Sequence, residues 1–304
     1  MKPILLALPG NDQYGLQLAQ AMECEAGDLE SRRFPDGEFY LRILSEVKNR
    51  DVALLCTMNN PDEKLVQIHL AAGIARDLGA HSVGLIAPYL AYMRQDSCFK
   101  PGEGKTSGHI ARMISACCDW LVTVDPHLHR HHSLDEIYTI PTKVVQSAPA
   151  VAEWISKHVS RPVIVGPDAE SEQWASKVAA AIGCPQAILQ KTRYGDREVE
   201  VSVPDTSDWS GCTPVVVDDI ASSGRTMLAA VMHLNRAGML PPVCIAVHPV
   251  FAGDACKELA EAGVGRLASC NTIMHHSNEI DLTRPIANAS LAMITNVSTP
   301  LAHY

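Results

Sequence analysis

The stretch Val215–Thr226, V-V-V-D-D-I-A-S-S-G-R-T, constrains the fold of this chain more than any other. Three consecutive valines are the composition of a strand buried on both faces, because β-branched side chains fill a pleated surface that has no solvent side. The strand runs into two carboxylates, Asp218 and Asp219. A Ser-Ser-Gly turn follows, and then a helical pattern of Thr226, Met227, Leu228, Val231 and Leu234. Strand, small-residue turn and helix together make a place for an anion. The first helical turn leaves backbone N–H groups without intrahelical partners, and the helix dipole favours negative charge beside them. A phosphate in that turn with two acids next to it suggests a phosphorylated sugar whose hydroxyls donate to the acids. The alternative is an ordinary β–α connection with solvated acids. A pair of acids at the carboxyl end of a buried strand is better placed for ligand binding.

The rest of the chain repeats the strand–helix rhythm. In the first half, strands are expected at Ile4–Leu8, Phe39–Ile43, Asp51–Met58, Ser82–Ala87 and Trp120–Val124. Helical spacing appears around Tyr14–Met22, through Leu65, Ile68, Ala72 and Ala75, and through Ile110 and Met113. Pro35-Asp36-Gly37 is a turn signal, so the segment ending in Phe39–Ile43 reads as a hairpin. The second half offers a helix near Val151–Ile155, a strand at Val163–Val165, and a helix carrying Trp174, Val178 and Ile182 on one face. Strand-like Ala187–Leu189 runs into Gln190–Arg193 and a polar Gly195-Asp196 turn, and Glu198–Val203 alternates again. The organising strand is followed by Val243–Val247, a helix near Asp254–Ala262 and a strand at Leu267–Thr272. Alternating βα units imply parallel α/β sheets. We expect two domains of one architecture, 1–145 and 146–304, the last residues being candidates for packing back on the first domain.

Composition narrows the function. With 47% hydrophobic and 19% charged residues the chain is too apolar for disorder, and with four Phe and four Trp its cores must be aliphatic. A formal net charge of −9 with no long basic run argues against nucleic acid as a partner. No apolar stretch approaches the ~20 residues that span a membrane. The ten cysteines include no C-x-x-C pair, and mostly sit in apolar surroundings, which suggests free thiols and a cytoplasmic protein.

Three more stretches end or connect strands. Phe34 beside Asp36 and Glu38 can stack a base while the acids take its amino group. Arg94, in Tyr92-Met93-Arg94-Gln95-Asp96, can pair with phosphate. Asp125-Pro126-His127 opens a histidine run through His132, whose spacing matches no common structural zinc pattern. Asp125 and His127 can instead orient a magnesium ion and its waters. Gly104-Lys105-Thr106 is not a P-loop, since Phe99 stands where the leading Gly belongs.

The Val215–Thr226 stretch resembles the phosphoribosyl pyrophosphate (PRPP) loop shared by type I phosphoribosyltransferases and ribose-phosphate diphosphokinases. Ser222 stands where many members carry an acid, and Arg225 where a small residue is usual. With R-F-P-D-G-E, Y-M-R-Q-D and V-D-P-H in the same order and spacing, most of the chain resembles the ribose-phosphate diphosphokinases. The D-P-H form, Phe99–Glu103 and Lys191-Thr192-Arg193 look like the archaeal-type branch. The resemblance implies an α/β fold of two tandem type I phosphoribosyltransferase-like domains, each a mainly parallel sheet flanked by helices. It implies transfer of the diphosphoryl group of Mg-ATP to the 1-hydroxyl of ribose 5-phosphate, giving PRPP and AMP. On it, Phe34, Asp36, Glu38, Arg94, Gln95, Asp96 and His127 bind ATP, with Asp36 and Glu38 supplied by a neighbouring subunit. Asp125, His127 and Asp168 lie at the Mg²⁺ ions. Asp218 and Asp219 bind the ribose hydroxyls, and Ser222, Ser223, Gly224, Arg225 and Thr226 the 5-phosphate. Lys191 and Arg193 are the catalytic cations, on a mobile loop. A homo-oligomer built from dimers, a tetramer or hexamer, is implied too. Other readings are a phosphoribosyltransferase, which leaves the first half unexplained, and a silent regulatory homologue, which Ser222 and Arg225 keep open.

Overall fold

A computed structural model describes residues 2–98, 100–128, 130–194, 198–202, 209 and 211–298. It divides into two compact units, Met1–Val145 with Thr283–Tyr304, and Gln146–Leu282.

The first unit runs β1 (Ile4–Ala7), α1 (Asp12–Ala21), β2 (Glu25–Gly27), a hairpin of β3 (Leu29–Arg33) and β4 (Phe39–Ile43), and β5 (Asp51–Leu55). It continues through α2 (Pro61–Asp77), β6 (Ser82–Ala87), α3 (Thr106–Cys117), β7 (Trp120–Val124) and β8 (Thr142–Val145). Its six-stranded sheet has the order β2-β1-β5-β6-β7-β8, and every pair in it is parallel. The middle strands are buried along their whole length and mostly apolar, because helices cover both faces of a parallel sheet. Their interior is aliphatic, with Ile4, Leu6, Val52, Leu54, Val83, Leu85 and Leu121 all fully buried. The one large aromatic in this sheet, Trp120, is paired in register with Gly84, where a Cβ would sit 1.8 Å from the indole. Gly84 is therefore the space that Trp120 occupies.

The second unit runs α4 (Ala148–His158), β9 (Pro162–Gly166), α5 (Glu172–Ile182), β10 (Gln186–Ile188), and a hairpin of β11 (Gln190–Tyr194) and β12 (Glu198–Ser202). Then come β13 (Thr213–Ala221), α6 (Arg225–Arg236), β14 (Val243–Pro249), α7 (Ala255–Glu261), β15 (Arg266–Cys270) and β16 (Asn278–Ile280). Its parallel sheet has the order β10-β9-β13-β14-β15-β16. Counted in chain order within each main sheet, both units follow one arrangement, and each inserts an antiparallel hairpin between its second and third strands.

The last helix, α8 (Thr283–Ser298), packs on α1, β6, β7 and β8, so it completes the first unit. Among the described residues, no helix is long and apolar enough to cross a membrane. All ten cysteines are free.

Candidate active site

In the second unit β9 lies between β10 and β13, so the chain leaves β9 toward one side of the sheet and later returns on the other. Such a switch point opens a crevice at the carboxyl ends of the strands. Asp168 follows β9 there, and Asp218 and Asp219 lie in the carboxyl half of β13. The turn after β9 is tied by Ser171, whose hydroxyl donates to the Asp168 carbonyl at 2.6 Å and whose N–H donates to the Asp168 carboxylate at 3.2 Å. The Asp219 N–H donates to Asp218 Oδ1 at 3.0 Å, and the Ile220 N–H to Asp219 Oδ1 at 2.7 Å. Burial holds the Asp218 carboxyl well above the usual carboxylate range, and the negative charges of Asp219 and Asp168 push it further. Three carboxylates therefore share one field, with oxygen donors suited to a hard divalent cation.

The turn beyond β13 is shaped from outside. The Phe251 N–H donates to the Ala221 carbonyl at 2.8 Å and the Ala252 N–H to the Ser222 carbonyl at 2.9 Å, so the segment after β14 takes up the loop's carbonyls. Gly224 caps α6 at φ +68, and a Cβ on it would lie 3.2 Å from the Ala255 Cβ; both facts demand glycine. No side chain caps α6 among the described residues, and no acid occupies its first turn. Its leading N–H groups are thus left to an external acceptor. Ser222 and Thr226 are half-buried, while Ser223 and Arg225 are exposed, so the long Arg225 side chain does not fill the loop.

The first unit carries the other candidates. The β3–β4 hairpin closes with the Phe34 N–H on the Glu38 carbonyl at 2.8 Å, the Gly37 N–H on the Phe34 carbonyl at 2.9 Å, and the Glu38 N–H on Asp36 Oδ1 at 3.2 Å. Phe34, Asp36 and Glu38 are all exposed at this tip. The Arg32 guanidinium sits 4.4 Å from the ring centroids of both Phe34 and Tyr40, and the rings meet edge to face at 6.0 Å. Cation–π contact thus holds an exposed aromatic ring in place.

Beyond β6, Arg94 and Gln95 are exposed but Asp96 is buried. Asp96 Oδ1 accepts from Arg130 Nη1 at 2.7 Å, and its buried Oδ2 has no partner among the described residues. Asp96 therefore anchors Arg130, a residue that sequence reasoning passed over inside the histidine run. Beyond β7, Asp125 is buried at φ +28, its N–H donating to the Val145 carbonyl at 3.1 Å, and His127 is half-buried. A positive φ on a residue other than glycine costs energy and persists where the surroundings enforce it, often at functional sites. His131 Nδ1 lies 2.9 Å from Glu136 Oε2 and the His132 N–H donates to Glu136 Oε1 at 2.9 Å, so these two histidines serve the loop's own structure.

Lys191 and Arg193, expected on a mobile loop, lie on β11, opposite Val201 and Val199 of β12. Alternation in Glu198–Ser202 was the readable sign of this ribbon. The Gly195-Asp196 turn, Phe99, His129 and Val203 lie outside the described residues.

Residues 4–117 match the N-terminal domain of ribose phosphate pyrophosphokinase, and residues 133–282 the phosphoribosyl transferase domain. The chain is 31% identical to a ribose-phosphate pyrophosphokinase of Methanothermobacter thermautotrophicus, over 94% of this chain and 99% of that one. It is 34% identical to that of Saccharolobus solfataricus, over 93% and 99%. The crystal structure of phosphoribosylpyrophosphate synthetase from Mycobacterium smegmatis superposes with a TM-score of 0.86 at 23% identity, covering 97% of this chain and 100% of that chain, a likeness of fold.

Proposed function

The chain belongs to the ribose-phosphate pyrophosphokinase family, and from that premise we propose that it moves the β,γ-diphosphoryl group of ATP to the 1-hydroxyl of ribose 5-phosphate. The ribose 1-hydroxyl oxygen attacks the β-phosphorus and gives up its proton to solvent, the bond from that phosphorus to the bridging oxygen of AMP breaks, and AMP leaves. The observation that carries the reading is the second unit's crevice, where an open helix N-terminus lies beyond two carboxylates on β13 and a third just after the neighbouring β9.

In this reading the backbone of Ser222–Thr226 takes the 5-phosphate, and Asp218 and Asp219 accept from the ribose hydroxyls. In the first unit, the Phe34 ring stacks adenine, with Asp36 and Glu38 beside it and supplied by a neighbouring subunit of a homo-oligomer. Arg94 and Gln95 reach ATP from the surface, and Asp96 contributes by setting Arg130. The oxygen donors fit Mg²⁺, because a cation offsets the burial and the neighbouring negative charges that raise Asp218. Asp168 would hold such an ion, as would Asp125 with His127. When bound, Mg²⁺ neutralises charge on the phosphate oxygens. Lys191 and Arg193 stabilise the charge that builds on the transferring group, so catalysis is positioning and electrostatics. Free cysteines and a nucleotide-phosphate reaction support a cytoplasmic location.

The test is a phosphorus NMR time course with purified protein, Mg-ATP and ribose 5-phosphate. AMP and PRPP in equal amounts is the expected outcome. ADP with a sugar bisphosphate makes the chain an ordinary kinase, and no turnover by folded protein that still binds Mg-ATP makes it a silent regulatory relative.

A further inference from the structure

On the far side of the segment that braces the phosphate loop, three side chains meet that the proposed reaction does not use. They are Cys256, in the first turn of α7, and His275 and His276, between β15 and β16. One ligand atom from each lies within 4.8 Å of the others, the one such group of His, Cys or carboxylate side chains found among the described residues. Cys256 Sγ is 3.6 Å from His275 Nε2. A thiolate at ~2.3 Å and an imidazole at ~2.0 Å from one tetrahedral ion lie about 3.5 Å apart, so the pair already has the spacing that ligation requires.

The surroundings hold the first imidazole. His275 Nδ1 is 2.7 Å from Ser277 Oγ and accepts from the Ser277 N–H at 3.2 Å; Ser277 Oγ is 2.7 Å from Ser269 Oγ, and both serines are buried, so ligation at Nε2 would move the ring proton to Nδ1 and turn it toward Ser277 Oγ. The Phe251 ring packs on His275 at 5.0 Å. An outer hydrogen-bond partner on the non-ligating nitrogen is what metal-bound histidines have. An S–H···N hydrogen bond would account for Cys256 and His275, but not for the second imidazole, whose ring centre lies 4.1 Å from the first at a tilt of 38°. Cys256 and His275 are half-buried and His276 is exposed, so an ion can enter and keep one position open to water.

We propose that Cys256, His275 and His276 form a site for a zinc-class ion, three protein ligands with an open fourth position. Thiolate and imidazole donors select against Mg²⁺, so this site is separate from the oxygen-lined one. It is also next to the phosphate loop: Ala255, beside Cys256 in the chain, abuts Gly224, and Ala252 binds the Ser222 carbonyl. An ion here pins the start of α7 to the β15–β16 connection and stiffens that brace.

The experiment is a Co²⁺ titration of the full chain in excess Mg²⁺, read by absorption, with Zn²⁺ as competitor. Expected are one Co²⁺ per chain, tetrahedral ligand-field bands, a thiolate-to-metal charge-transfer band, and bleaching of all of these by Zn²⁺. Cys256→Ala abolishes the charge-transfer band. His276→Ala, at an exposed position that leaves the core intact, weakens binding at least ~10-fold, and Ser277→Ala weakens it by about 10- to 100-fold through the outer hydrogen bond. A charge-transfer band that survives in Cys256→Ala, affinity unchanged in His276→Ala, or octahedral Co²⁺ without sulfur overturns the proposal. None of these readouts depends on turnover, so the metal site and the proposed reaction stand or fall separately.

Discussion

In the first unit the connection from β5 to α2 closes on itself; in the second, the corresponding connection from β13 to α6 stays open. Both leave the third chain-ordered strand of the same sheet topology and enter a helix behind a residue in the left-handed region, Asn60 or Gly224. At α2, Asp62 and Glu63 fill the first turn with negative charge, and Lys64 Nζ donates to the Thr57 carbonyl and to Asn59 Oδ1 at 2.5 and 2.6 Å. Neither helix has a side-chain cap, but at α6 the first turn also has no acid. One backbone plan thus gives a self-neutralised helix start in one half and an anion-seeking one in the other, and the difference lies in a few side chains. The hairpins differ in the same way: the first carries an exposed aromatic beside acids, the second Lys191 and Arg193.

The sharpest way to break the hairpin comparison is Lys191→Ala against Phe34→Ala. We expect Lys191→Ala to lower kcat by about 100-fold or more with little change in KM for ATP, as loss of a charge stabiliser does. Phe34→Ala should raise KM for ATP by the ~1–3 kcal/mol of a lost base stack. Steady-state kinetics of both variants decide, and a Lys191 variant with normal kcat removes that residue from the mechanism.

Gly224→Ala tests the open helix start. Left-handed geometry costs a non-glycine residue roughly 1–2 kcal/mol, and the new methyl meets Ala255. KM for ribose 5-phosphate should rise about 10-fold, a shift of ~1.4 kcal/mol, while KM for ATP holds. A parallel rise in both constants would mean that the loop is not the sugar-phosphate site.

Lys64→Met tests the closed one. Burial already pushes the Lys64 ammonium down, and its bonds to the loop are charge-assisted. Removing them should cost about 1–3 kcal/mol in urea unfolding, with KM for ribose 5-phosphate unchanged.

The smallest effect concerns Asp218. Because its folded pKa is raised, stability present below the ordinary carboxylate range is lost as pH climbs through the raised value. In EDTA, Asp218→Asn should therefore melt with the parent at low pH and above it at neutral pH, by a few degrees. Mg²⁺ should narrow or reverse that gap by stabilising the parent alone. Melting curves that stay parallel across pH would show that neither burial nor the charges of Asp219 and Asp168 raise this carboxyl.

Much of the candidate site was legible in sequence because its parts are contiguous. The V-V-V-D-D run, the Ser-Ser-Gly turn and the helix behind it carry strand, acids and anion hole within Val215–Thr226, and Pro35-Asp36-Gly37 marks its hairpin by turn chemistry alone. What stayed hidden is what depends on distant segments. Short edge strands such as β2 and β16 are too brief for periodicity to register. Asp96, expected at ATP, is buried and accepts from Arg130, which could not be read in advance because burial is set by packing and not by the residue's polarity.

By itself, the sequence determined the α/β class, the two-part plan and the residue types proposed to meet phosphate and sugar, since these follow from local periodicity and turn stereochemistry. Only the tertiary structure decided that α8 returns to the first unit, that Asp168 loads Asp218, and that Cys256 meets His275 and His276. Those facts join residues far apart in the chain, and parallel-strand pairing and helix packing bring them together without any local signal.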